Sequence, residues 1–177
     1  MRREAVRTRG WEIVASVAAV VLLVDQISKA LVLAYLAPGG PVSEVVLIPR
    51  ILRLFYVENT GAAFGLFQGK NPLLALLALA VVVVLAVWFR ALVASWPGAV
   101  ALGLQLGGAL GNLVDRFRHG FVVDFIDFSF WPTFNVADSA ITIGVLLLVG
   151  LLVWPEVTRT SIDTSRTERI DLEQRTR

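Results

Sequence analysis

Residues 72–89 read Pro72-Leu73-Leu74-Ala75-Leu76-Leu77-Ala78-Leu79-Ala80-Val81-Val82-Val83-Val84-Leu85-Ala86-Val87-Trp88-Phe89, without one charged side chain. A helix needs about 20 predominantly apolar residues to cross a bilayer, and Pro72 suits its first turn, where no N–H is required. Working outward, three further stretches have the same character. One spans about residues 11–36 and is apolar from Ile13 to Val24 apart from Ser16; another spans about 96–116, with Pro97 at its start; the last spans about 136–154 and is closed by Pro155. The 177 residues are 56% hydrophobic and 17% charged, with a mean hydropathy of +0.74. Soluble domains carry about 25% charged residues, and a core of this size would leave large apolar patches in water. The reading is an all-α membrane protein: a four-transmembrane-helix bundle forming one integral domain over residues 1–154.

Arg2, Arg3, Arg7 and Arg9 before the first stretch mimic a signal peptide. The stretch is too long for one, carries Asp25 and Lys29, and lacks an Ala-Xaa-Ala site, so a retained helix is expected. The N-terminal arm, Arg90 and the tail hold ten Lys and Arg, against five at Arg50, Arg53, Lys70, Arg116 and Arg118. The positive-inside rule then puts both termini in the cytoplasm. Outside lie residues 37–71, whose segments 45–48 and 51–57 predict short strands at the membrane surface, and 117–135, read as an aromatic-rich loop. Residues 155–177 form a charged tail with five acids and five arginines, expected to be disordered. No internal repeat is evident.

The chain has no cysteine and one histidine, His119, which excludes thiol chemistry and leaves little for a zinc site or a serine triad. Basic ends without interleaved aromatics give no nucleic-acid signature. Charges in a spanning helix cost roughly 2.5–3.5 kcal/mol each, so their positions are informative. Asp25 and Lys29 share one helix face. Gly103, Gly107 and Gly111 form a small-residue seam for close helix packing. Gly108, Asn112 and Arg116 form a polar stripe beside it, leading toward the surface. Asp124 sits in an apolar setting, His119-Gly120-Phe121-Val122-Val123-Asp124-Phe125, and Asp138 follows Asn135-Val136-Ala137. Asn135 and Asp138 also suit a helix N-cap and a dipole-favoured first-turn acid, and Asp127 reads as an interfacial loop acid. Paired acids are nevertheless the complete hydrolytic set available. A transporter using intramembrane acids as proton relays is the competing class, and a structural subunit without chemistry is a third.

The blocks Asp25-Gln26-Ile27-Ser28-Lys29, Asn59-Thr60-Gly61-Ala62-Ala63-Phe64-Gly65, Gly107 through Arg116, Val122-Val123-Asp124-Phe125 and Phe134 through Ala140 together resemble the lipoprotein signal peptidases. These form the signal peptidase II family of bacterial inner-membrane aspartic peptidases. The resemblance covers roughly residues 13–154. It implies that Asp124 and Asp138 are catalytic, that Asn59, Gly61, Asn112, Arg116 and Asn135 bind substrate, and that Asp25 and Lys29 are the first-helix motif. It further implies a small extracytoplasmic β-sheet and a diacylglyceryl-modified prolipoprotein substrate, cut just before its lipidated cysteine. No metal or cofactor is called for, and the partners expected are that substrate and membrane lipids, with the chain a monomer. Two nearby carboxylates are expected to share a proton, with Asp138 favoured as base and Asp124 as acid.

Overall fold

The computed structural model describes residues 2–61, 71–88, 93–151 and 153. Four helices occur among them: α1 (Arg2–Tyr35), α2 (Asn71–Trp88), α3 (Trp96–His119) and α4 (Val136–Leu151). Strands β1 (Glu44–Ile48), β2 (Leu52–Asn59), β3 (Val122–Phe128) and β4 (Trp131–Phe134) form one antiparallel sheet in that order. The helical cores follow the apolar stretches, with differences at their ends. Helix α1 begins at Arg2 and not near Trp11, because hydropathy marks the apolar segment, while the Arg- and Ala-bearing arm before it is itself a good helix former. Helix α3 continues to His119, past the expected 116. It stops at Gly120, whose φ of 82° is left-handed and whose N–H donates to Arg116 O at 3.2 Å. At its other end Ser95 Oγ accepts from Gly98 N at 3.3 Å.

Residues 45–57 give the expected strands. The segment 117–135, read as a loop, instead supplies β3 and β4. Its first four strand residues, Val122–Phe125, are all buried. A strand covered on both faces lacks the apolar–polar alternation that announces a half-exposed one. The charged tail, residues 155–177, and the ends of the second and fourth apolar stretches at Phe89, Leu152 and Trp154 lie outside the described residues.

Helix α3 is the hub, packing against α1, α2 and β3, with Ala99, Ala101 and Leu102 fully enclosed. One apolar cluster joins Val14, Leu85, Val93, Ala99, Leu102 and Leu106. A second joins Val32 and Leu36 to Val123 and Phe125 of β3. Along α1, Asp25 and Lys29 fall between the two. The outward faces are apolar: Val20, Leu23 and Leu31 of α1 and Leu76, Leu77 and Val87 of α2 are all more than half exposed, which suits lipid and not water. Helices α1, over Thr8–Tyr35, and α3 are long and apolar enough to cross a membrane; α2 and α4 are apolar but shorter over Asn71–Leu85 and Val136–Leu151.

The glycine seam is the α1–α3 contact. A Cβ on Gly107 would lie 2.8 Å from both Ala18 O and Val21 Cβ, and one on Gly103 2.8 Å from Val17 Cβ. Gly107→Val is therefore expected to destabilise the fold by about 2–3 kcal/mol, since backbone on the facing helix cannot yield. Gly150, with nothing within 4 Å of a Cβ, is the matched control: Gly150→Ala should unfold at the native temperature in detergent, and Gly107→Val well below it.

Candidate active site

Asp124 is carried by β3 and Asp138 by the first turn of α4, and Asn135 joins them. Register places Asp124 opposite Val57 and Val122 opposite Asn59, so the end of β2 delivers Asn59 to the carboxylate. Asp124 Oδ2 accepts from Asn59 Nδ2 at 2.8 Å and its Oδ1 from Asn135 Nδ2 at 2.7 Å. Asn135 caps α4: its Oδ1 accepts from Asp138 N at 2.9 Å, while its own N–H donates to Asp138 Oδ2 at 3.3 Å. The N-cap and the first-turn acid were expected from sequence; the return bond makes the capping reciprocal, and the Asn135 side chain reaches a second carboxylate as well. Asp138 Oδ1 accepts from Asn112 Nδ2 at 2.8 Å, and Asn112 Oδ1 accepts from Asn135 Nδ2 at 3.1 Å. Asp124 and Asn135 are buried.

Beneath this pair lies a buried charge cluster. Lys29 Nζ is 2.9 Å from Asp25 Oδ2 and 2.9 Å from Asp115 Oδ2, and donates to Asn112 Oδ1 at 3.0 Å. Gln26 Nε2 donates to Asp115 Oδ1 at 3.0 Å. The three charged groups are at most 2% exposed, and every buried side-chain nitrogen or oxygen among the described residues has a partner. Complete satisfaction is what makes such a network tolerable at low dielectric. The sequence singles out Asp25 and Lys29, whereas Gln26 and Asp115 stand there only within the motif blocks. The signal was present, since Asp115 lies three residues after Asn112 on the same helix face. Among the described residues no metal-ligating group of three His, Cys, Asp or Glu side chains forms.

Both carboxylates line a cavity of about 700 Å³, bounded also by Asn59, Gly61, Asn112 and Arg116 and, on the sheet side, by Trp131–Phe134. Arg116 reaches across its rim: Nη2 donates to Gly61 O at 2.8 Å and Nη1 to Asn71 Oδ1 at 3.3 Å. Gly61 N in turn donates to Asn59 Oδ1 at 3.0 Å. The cavity thus gathers all seven residues singled out as catalytic or substrate-binding except Asn135, which braces it from behind. Burial pushes the Asp124 carboxyl up to about 7, and the nearby Asp138 pushes it the same way; the Asn59 and Asn135 hydrogen bonds and Lys29 pull it back. Glu58 also lines the cavity, but it is exposed and accepts from Tyr56 Oη at 2.8 Å. The Tyr56 hydroxyl is pushed up to about 12 by burial first and by Glu58 second. Asp127 does not line the cavity; its Oδ2 is 2.8 Å from Arg53 Nε and its Oδ1 accepts from the Thr133 hydroxyl at 3.1 Å.

A family model described as signal peptidase (SPase) II matches residues 17–154. The lipoprotein signal peptidase of Syntrophomonas wolfei is 49% identical over 133 residues, 75% of this chain and 87% of that one. The lipoprotein signal peptidase of Rhodococcus jostii is 45% identical over 156 residues, 83% of this chain and 77% of that one. A bacterial membrane enzyme solved by the in meso method at 2.3 Å resolution superposes with a TM-score of 0.70 at 32% identity, covering 79% of this chain and 87% of that one.

Proposed function

The chain belongs to the signal peptidase II family, a family of membrane aspartic peptidases, and we propose that Asp124 and Asp138 are the pair with which it removes signal peptides from prolipoproteins. The observation that carries this is Asn135 held between both carboxylates, at 2.7 Å from Asp124 through its side chain and 3.3 Å from Asp138 through its backbone. Two acids so joined at one cavity cannot comfortably both ionise. Asp124, at about 7, holds the shared proton. Asp138, at the positive end of the α4 dipole, is the ionised partner. Asp138 takes a proton from water as the oxygen attacks the scissile carbonyl, and Asp124 gives its proton to the carbonyl oxygen. The tetrahedral intermediate then collapses: Asp124 takes that proton back, Asp138 gives its proton to the departing nitrogen, and the C–N bond breaks. No covalent intermediate forms.

The remaining assignments belong to the same reading. Residues 1–154 form one domain whose four helices all span the membrane, with both termini cytoplasmic and the sheet and cavity at the extracytoplasmic face. A diacylglyceryl chain stays in the lipid while the bond just before its cysteine enters the cavity. Asn59, Gly61, Asn112 and Arg116 surround that bond, Asn135 holds the carboxylates from behind them, and the enzyme works as a monomer.

The test is the pH dependence of turnover on a diacylglyceryl-modified precursor, with the product mass fixing the bond cut. The active form carries one proton on the pair, so activity must fall as pH rises through the upper apparent pKa. The raised Asp124 carboxyl sets that descending limb near pH 7. Cleavage at another bond, or a profile flat from about pH 4 to pH 9, rejects the proposal.

A further inference from the structure

Two buried carboxylates that take no part in the proposed chemistry each grip the backbone immediately before a catalytic residue. Asp115 Oδ2 accepts from the N–H of Val123, which precedes Asp124, at 3.0 Å. Asp25 Oδ1 accepts from the N–H of Ala137, which precedes Asp138, at 3.0 Å. Lys29 Nζ lies between them, 2.9 Å from each carboxylate. An ammonium has three donors, and the third goes to Asn112 Oδ1 at 3.0 Å. With its oxygen so held, Asn112 must turn its amide nitrogen outward, where it donates to Asp138 Oδ1 at 2.8 Å. The closeness of the arrangement is built into α3: a Cβ at Gly111 would stand 2.5 Å from Asp25 Oδ2.

We propose that Lys29 is a positioning residue that sets the separation of Asp124 and Asp138, drawing the Asp25 and Asp115 carboxylates together and, through them, the two backbones that bear the catalytic pair. This rests on the assignment of Asp124 and Asp138 as that pair. A role in stability alone would need the ion pairs but not their attachment to Val123 and Ala137. Buried ion pairs often contribute little net stability compared with apolar replacements. What an apolar side chain cannot do is bond three groups at fixed distances. Proton sharing depends steeply on the separation of the two carboxylates, so the strap governs how the pair titrates as well as how it aligns with substrate. The charged groups facing the pair are Asp25 and Lys29 on α1, Asp115 and Arg116 on α3, and Glu58 at the cavity rim.

The experiment compares Lys29→Met and Asp115→Asn with the native enzyme on a diacylglyceryl-modified precursor, with turnover counted per molecule that unfolds cooperatively in detergent. A displacement of about 1 Å costs on the order of 100-fold in a positioned reaction. Lys29→Met should therefore lose about that much in kcat, with KM within about threefold, and Asp115→Asn, which keeps an acceptor for Val123, should lose about tenfold. Both should move the limbs of the pH profile. Native kcat and limbs per folded molecule overturn the proposal, whatever the unfolding temperature. Failure of both variants to fold also overturns it, assigning the cluster to stability. Asp124→Asn run alongside separates the two claims. Cleavage surviving there sinks the catalytic pair itself, whereas cleavage lost there but native in Lys29→Met sinks the strap alone.

Discussion

Asp124→Asn and Asp138→Asn are each expected to lower kcat toward the upper end of the roughly 10²- to 10⁴-fold that loss of a general acid or base produces, since each serves as both, with little change in KM. Either substitution removes both halves of the proposed chemistry, because in it one shared proton serves two groups that exchange roles. The double variant should accordingly be about as inactive as either single one, since residues acting as a unit are not additive. Fold is expected to survive in both. Asp124 accepts from two amide nitrogens, Asn59 and Asn135, and an asparagine there keeps one acceptor while setting one N–H against a donor. That mismatch costs roughly 1–3 kcal/mol, too little to explain a thousandfold loss per folded molecule. Asp127→Asn is the control for the strand, because Asp127 does not line the cavity and pairs with Arg53; the asparagine keeps an acceptor for the Thr133 hydroxyl at 3.1 Å, and the variant should cleave as the native chain does. Native-level processing by well-folded Asp124→Asn or Asp138→Asn would remove the pair from the mechanism. Altered proton flux in place of lost cleavage would favour the transporter class.

The helices were legible because hydropathy reports which segments face lipid, and that is a property of composition alone. Their ends were not. The start of α1 at Arg2 depends on helix propensity in a basic arm that hydropathy scores as exterior. The sheet divided along the same line. Strands β1 and β2 declare themselves by β-branched and aromatic residues between turn signals, whereas β3 is hidden by its burial over Val122–Phe125. Packed against Val32 of α1 and Leu36 just beyond it, it reads as an apolar run with an acid in it.

The site was legible where chemistry narrows the choice. A chain without cysteine and with one histidine has few ways to hydrolyse a peptide, and Asp124 and Asp138 are the acids left in a setting that suits one. Asp115 leaves one trace in the sequence, its place on the face of Asn112, because the partners that give it a role are tertiary. It stands beside Arg116 in sequence and looks paired with it, yet it turns to Lys29 and to the Val123 amide, while Arg116 turns to Gly61 and Asn71. Helical geometry explains the divergence, since adjacent residues point about 100° apart and Asp115 shares its face with Gly111 and Asn112 instead.

Asn135→Ala carries the second large expectation. The side chain is fully enclosed and makes three hydrogen bonds: Nδ2 to Asp124 Oδ1 at 2.7 Å and to Asn112 Oδ1 at 3.1 Å, and Oδ1 from Asp138 N at 2.9 Å. As an N-cap alone it would cost about 1 kcal/mol to remove, which lowers the unfolding temperature but leaves turnover per folded molecule intact. As the bridge between two reacting carboxylates its loss should lower kcat by about 100- to 1,000-fold, as for other donors aimed at reacting charge. The pH profile separates the cases. The Asn135 hydrogen bond favours ionised Asp124 and so holds its carboxyl down against burial. Without that donor the carboxyl must rise above about 7, and the descending limb must move to higher pH. Asn135→Asp sharpens the comparison, because it keeps an oxygen for the α4 cap and replaces the donor by a charge that drives Asp124 further the same way. A limb that stays near pH 7 in both variants, with native kcat, would leave Asn135 as a helix cap and nothing more.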